Sequence, residues 1–260
     1  YFEMFPLESI QLPVVKEDDL DDVPAAGVKM AKPDGDHKAV VTNQQWKQAV
    51  QGYLATIKFL DGQIGRLADA VDKSGRGENL VIVLWSDHGW HLGEKQHWRK
   101  FALWEEAARA PLAVIAPGVT KPNARCDAAV DFMSIYPTVV DLIGLPIPEH
   151  VQGPSLRPLL ANPQAAWDRV GLTTHGRGNH AVRDLDWRYI RYADGSEELY
   201  DHRSDPYEWT NLAGRSEHAA VQRRLAAKVP AEEAADAPWE GAKQAKPKSN
   251  KRGKVQRTAD

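Results

Sequence analysis

The stretch Leu80-Val81-Ile82-Val83-Leu84-Trp85 constrains this chain more than any other. A short unbroken apolar run, rich in β-branched residues, reads as a strand covered on both faces, as in a parallel sheet flanked by helices. Before it lies a helical pattern. Trp46, Val50, Tyr53, Leu54, Ile57, Leu60, Ile64, Leu67, Ala68 and Val71 recur at i, i+3, i+4, i+7. The period predicts a helix from Gln44 to Asp72, with Thr42 and Gln45 as a capping box and Gly75 and Gly77 beyond its end. After the strand, Trp104–Arg109 predicts a short helix and Leu112–Ile115 a second strand closed by Pro117-Gly118. Ser134–Ile143 predicts a further helix, with Pro137 tolerable in its first turn and Gly144 after its end. Helix, strand, helix, strand, helix is the rhythm of an α/β fold.

After Gln164 the texture changes. Ala181–Arg183, Trp187–Tyr192 and Glu198–Tyr200 predict short strands, and Asp194-Gly195 a hairpin turn. A helix is expected from Ser216 to Lys228. The expected parts are therefore an α/β part over 1–165, a small antiparallel sheet with one helix over 166–229, and a basic tail over 230–260. The tail carries Lys243, Lys246, Lys248, Lys251, Arg252, Lys254 and Arg257, the composition of a disordered segment. Residues 1–41, broken by Pro6, Pro13, Pro24 and Pro33, read as loop. The acidic run Glu17–Asp22 lacks the spacing of an EF-hand and reads as solvated.

Composition narrows the function. No apolar run approaches the roughly 20 residues that span a membrane, so no transmembrane segment is expected. A net charge of −3 leaves no electrostatic footprint for nucleic acid. The single cysteine, Cys126, excludes an intrachain disulfide. The chain starts at Tyr1 and shows no signal-peptide pattern.

Chemistry concentrates in Ser86-Asp87-His88-Gly89-Trp90-His91-Leu92-Gly93-Glu94, directly after the apolar strand. In open α/β sheets ligands gather outside the carboxyl ends of the strands. Asp87 offers hard oxygens and His88 an imidazole nitrogen, while Gly89 and Gly93 make the segment a loop. His88, His91 and His97 cluster near Glu94, but a zinc protease needs His-Glu-x-x-His on one helix, which is absent. Lys100 could give a compact positive charge to an oxyanion, with Arg99 its competitor. His180 stands at the entry to the small sheet.

The segment 86–94, followed by Trp98, Lys100, Trp104-Glu105-Glu106-Ala107 and Ala110-Pro111-Leu112, resembles the second metal-site segment of sulfatases, in the alkaline phosphatase superfamily. The likeness is to the iduronate-2-sulfatase-like branch. Tyr53–Leu67, Tyr136-Pro137-Thr138 with Leu145-Pro146, and Glu198-Leu199-Tyr200-Asp201 with Asp205-Pro206, Glu208-Trp209 and Asn211-Leu212 resemble further family segments in family order. The resemblance implies the C-terminal part of an alkaline-phosphatase-like mixed sheet sandwiched by helices. It implies a sulfuric-ester hydrolase for a sulfated small molecule or glycan, periplasmic or secreted. It also implies one divalent cation, calcium (Ca2+), beside a formylglycine made from Cys/Ser-x-Pro-x-Arg. By carry-over Asp87 and His88 are metal ligands, Lys100 binds a sulfate or leaving-group oxygen, and His180 touches substrate. The nucleophile motif occurs nowhere in the 260 residues; Ser204-Asp205-Pro206-Tyr207-Glu208 lacks the arginine. The expectation is a fragment whose formylglycine lies in a missing N-terminal half, inactive alone. A phosphonate or phosphodiester hydrolase of the same superfamily, or a non-catalytic fragment binding sulfated polymers through its basic tail, remain as alternatives.

Overall fold

The Pro-broken opening stretch, expected as loop, contains two short helices. They are α1, Ala25–Ala31, and α2, Asp36–Thr42. At two turns each, they are too short to show a sequence period. α1 packs on the small sheet through Gly27, where an added Cβ would lie 2.7 Å from Tyr192 Oη and 2.8 Å from Glu198 Oε1. The long period becomes one helix, α3, Trp46–Ser74, stopped by Gly75 at φ 66. The expected capping box does not form. Thr42 belongs to the last turn of α2, and Gln44 at φ 55 reverses the chain between the helices.

The apolar run gives β1, Ile82–Trp85. A two-rung hairpin follows, β2 (His91–Leu92) with β3 (Trp98–Arg99), then α4, Glu105–Ala108. The second expected strand is β4, Leu112–Ile115. It pairs with β1 antiparallel, Trp85 opposite Leu112. The expectation that β1 is covered on both faces fails here: Leu84, Trp85 and Ile115 are 42%, 49% and 57% exposed. The run reports what the strand needs on its faces; among the described residues β1 has one paired neighbour and no layer over its end. α5, Ile135–Leu142, carries Pro137 in its first turn, and α6 is Arg157–Ala161.

Four antiparallel strands make the small sheet, in the order β5 (Gly171–Thr174), β6 (His180–Arg183), β7 (Trp187–Arg191) and β8 (Glu197–Asp201). β5 was not expected: Gly-Leu-Thr-Thr carries little strand signal. Alternation puts Val182, Tyr189 and Leu199 on one face, packed with Leu225 of α7, Ala219–Ala226. The opposite face sets Ala181, Ile190 and Tyr200 against Leu103, Trp104 and Ala107 and against Ala31 of α1. Burial on both faces therefore ties this sheet to the segment carrying the candidate site.

The computed structural model describes Tyr1–Ala234, and residues 1–230 form one compact unit. The basic run 243–257 lies outside the described residues. No described helix is long and apolar enough to cross a membrane.

Candidate active site at the end of β1

Beyond Trp85 the chain lies down on α4. Gly89 N–H donates to Ala107 O at 2.9 Å, and a Cβ on Gly89 would meet Glu106 O at 1.9 Å, so only glycine fits. His88 Nδ1 lies 2.7 Å from Gly89 O. A carbonyl only accepts, so Nδ1 carries the proton and Nε2 presents its lone pair, the tautomer that a ligating histidine needs. That Nε2 is 3.4 Å from Asp87 Oδ2. The Asp87 side chain is 77% exposed and that of His88 26%. The two donors are adjacent and suit a divalent cation; two alone fall short of a full shell.

The rest of the loop is pinned. Trp46 Nε1 donates to Leu92 O at 2.6 Å, and Gly93 at φ 123 lies flat against the Trp46 ring. Lys95 and Gln96 both hold left-handed backbone, φ 54 and 48. Lys95 is only 2% exposed. Its ammonium reaches Asp19 Oδ1 at 2.7 Å and the Glu208 carbonyl, 5.0 Å from the centre of the Tyr200 ring.

Glu208 is the centre of a buried ion network. Arg188 donates to Glu208, to Glu105 and to Leu103 O. Glu208 Oε2 accepts from Glu105 N–H at 3.0 Å, and His202 Nε2 lies 2.8 Å from Oε1. Burial works to raise the Glu208 pKa, yet Arg188 and His202 hold it at about 2. Glu105, His202 and Glu208 place donor atoms within 4.8 Å of one another, a spacing that could ligate a cation. Arg188 already occupies both carboxylates, and Arg183 adds a charge 3.4 Å from Glu105. This set does not fit a metal. Sequence reasoning saw Glu208 only as part of a signature and missed its partners.

His91 and His97 are buried, their rings 4.9 Å apart, and each Nδ1 faces a backbone carbonyl. Among the described residues no protein group reaches either Nε2, so a charged ring would find no acceptor there. Burial and then the neighbouring ring push His91 down to about 3; burial also lowers His97. Both rings are neutral in the fold, whereas the unfolded chain binds a proton at each below about 6.5. Stability is therefore intact above that value and falls as pH drops below it, by about 1.4 kcal/mol per pH unit for His91, with His97 contributing in the same direction. The His91 part of this loss continues to about 3. The buried Glu106 carboxyl, pushed up to about 7, acts with the opposite sign over the same window, so urea midpoints between pH 7.5 and 5.5 check this in a Glu106→Gln background; a flat profile there would contradict it.

Lys100 follows β3, partly buried, its Nζ 5.5 Å from the centre of the Phe101 ring. His180 is the first residue of β6. It is 2% exposed, with Nδ1 2.9 Å from Thr174 Oγ1, enclosed between β5 and β6. Glu106, in the helix under the loop, has its carboxyl pushed up to about 7 by burial and then by Glu208. A cavity of about 400 Å3 opens between α2, α3 and the β2–β3 hairpin, and Asp87 and His88 stand outside its lining.

The mixed α/β arrangement with its antiparallel sheets is alkaline-phosphatase-like, as in the solved structures it resembles. Residues 19–145 match the family model described as sulfatase, and residues 93–235 the one described as N-sulphoglucosamine sulphohydrolase, C-terminal. The chain belongs to the sulfatase family of the alkaline phosphatase superfamily. The iduronate-2-sulfatase-like branch is not among what these matches establish. A sulfatase of Formosa agariphila is 40% identical over 88% of this chain and 46% of its own length. A structure solved with its substrate D-glucosamine-2-N,6-O-disulfate is 30% identical, TM-score 0.65, over 71% of this chain and 40% of its own. A phosphonate monoester hydrolase from Silicibacter pomeroyi is 25% identical, TM-score 0.73, over 86% of this chain and 50% of its own. The chain thus spans about half or less of the proteins it matches.

Proposed function

We propose that this chain is the C-terminal portion of a sulfuric-ester hydrolase acting on sulfated carbohydrate, with Asp87, His88 and Lys100 as its share of the active site. The observation that carries this is the adjacent Asp87–His88 pair at the end of β1, with His88 Nε2 3.4 Å from the Asp87 carboxylate and Nδ1 held by Gly89 O. The two residues would hold part of a calcium ion's shell, the remaining oxygens and the formylglycine coming from outside these 260 residues. Bound there, the cation would polarise a sulfate oxygen. Asp87 supplies negative charge to the site, His88 a fixed lone pair, and Lys100 a compact cation for the leaving oxygen. His180, enclosed beside Thr174, has no role in this proposal. By the same resemblance the enzyme works in the periplasm or outside the cell.

The glucosamine disulfate of one structural relative supports a sulfated sugar as substrate. The phosphonate hydrolase likeness favours the second reading, a hydrolase of phosphonate esters on the same scaffold. The full-length protein decides between them. Assayed on 4-nitrophenyl sulfate, D-glucosamine-2-N,6-O-disulfate and phenyl phosphonate esters, it is expected to prefer the sulfates in kcat/KM. A preference for phosphonate esters would overturn the proposal.

A further inference from the structure

Resting on that reading, we propose that the cavity between α2, α3 and the β2–β3 hairpin is a subsite for one ring of an anionic glycan, whose sulfate or carboxylate substituent Arg99 binds. The cavity holds about 400 Å3, within the roughly 300–1,000 Å3 of small-molecule pockets. Tyr53, Trp90 and Trp98 line it, with Asp36, Gln45, Thr56 and Arg99 as its polar groups. Aromatic faces cover the C–H faces of a sugar ring, and the few polar groups meet its hydroxyls and acid substituent.

Two observations join the cavity to the candidate active site. Trp90 lies 6.2 Å from Tyr53 at 21° and 6.0 Å from His88 at 28°, so a wall of the cavity and the proposed metal ligand share one ring stack. Arg99 immediately precedes Lys100 and holds φ 76. A non-glycine residue in left-handed backbone is strained, and such strain gathers at binding sites. Here the β2–β3 pairing, His91 opposite Arg99, keeps the arginine in place.

Arg99 has a provisional partner. Its Nε donates to Asp36 Oδ2 at 2.8 Å and its Nη2 to Asp36 Oδ1 at 3.3 Å, with the two side chains 60% and 50% exposed. Both side chains are open to solvent, so an incoming anion competes with Asp36 for the same fork of N–H groups. The guanidinium fork donates two parallel N–H bonds to a sulfate or carboxylate, which one ammonium cannot match. Asp36 then acts as a competitor, and its removal should tighten binding.

The experiment compares D-glucosamine-2-N,6-O-disulfate with 4-nitrophenyl sulfate, which has no sugar, in the full-length protein. Arg99→Gln is expected to raise KM for the disulfate about tenfold, by loss of a charge-assisted pair, and the loss on the disulfate should exceed that on the aryl ester. Asp36→Asn should lower KM for the disulfate, a change of opposite sign that a merely structural role would not produce. Equal losses on both substrates, or shifts in the same direction for the two variants, overturn the subsite while leaving the sulfatase reading intact. If the protein hydrolyses neither ester, that reading falls, and tryptophan fluorescence, with Trp90 and Trp98 lining the cavity, decides the subsite. A saturable change with the disulfate that Arg99→Gln weakens supports it. No saturable change, or one that Arg99→Gln leaves alone, overturns it.

Discussion

The 260-residue chain, purified alone, is expected to hydrolyse no sulfate ester, with or without added calcium. Hydrolysis needs a nucleophile, and no Cys/Ser-x-Pro-x-Arg occurs in the chain. The cation also needs about 6–8 ligands; Asp87 and His88 are the two donors found together at the end of β1. The apolar surfaces point the same way. Ile57, Leu60 and Leu67 of α3, Trp85 of β1, Ile115 of β4 and Tyr136 of α5 are all exposed. Large apolar side chains exposed in this way belong against other protein, and the edges of the β1–β4 pair, unpaired among the described residues, invite association with any strand that meets them. Self-association in size-exclusion chromatography is expected together with inactivity on 4-nitrophenyl sulfate. Robust turnover by the chain would show that another nucleophile operates, and the proposal of a fragment would have to be given up.

In the full-length enzyme, Lys100→Ala should lower kcat by about 10²–10³, the usual cost of losing one donor to a developing oxyanion. As the S–O bond breaks, the leaving oxygen gains charge that the ground state lacks. A cation fixed nearby therefore binds the transition state more tightly than the substrate, so the loss should fall in kcat rather than KM. The hairpin before Lys100 and the tight turn after it, where Ala102 N–H donates to Lys100 O at 2.8 Å, hold its backbone. Arginine should not restore the rate, because its planar fork is broader than an ammonium. Undiminished turnover in a Lys100→Ala protein of unchanged Tm would remove the residue from the mechanism.

Much of this was legible in the sequence because periodicity and turn chemistry act locally. The α3 stripe, the β1 run and the Asp194-Gly195 turn each reveal their element within a few residues. Asp87 and His88 stand out by position, since a strand end followed by glycines is where side chains of that chemistry can meet a ligand. The ion network was not legible. Lys95, Arg188, Glu105 and Glu208 are residue types that normally face water, and only the folded chain shows that they bury one another. His91 and His97 were read beside His88 as one cluster, whereas the hairpin turns them into the core and leaves His88 stacked on Trp90. α1, α2 and β5 were missed because two turns or four residues carry too little pattern. The exposure of β1 was misjudged because an apolar run states a need for cover and not its source.

The Lys95 anchor has a consequence for how the protein is made. Its partners are Asp19, 76 positions earlier, and the Glu208 carbonyl, 113 positions later. Contacts of such separation form late, after the entropy of closing long loops has been met. On the ribosome Asp19 and Trp46 are in place before the hairpin that follows Asp87 and His88, but the second partner of Lys95 is missing until residue 208 has emerged. Synthesis order thus makes the final fastening of this loop a late event, one that waits for a residue more than a hundred positions downstream.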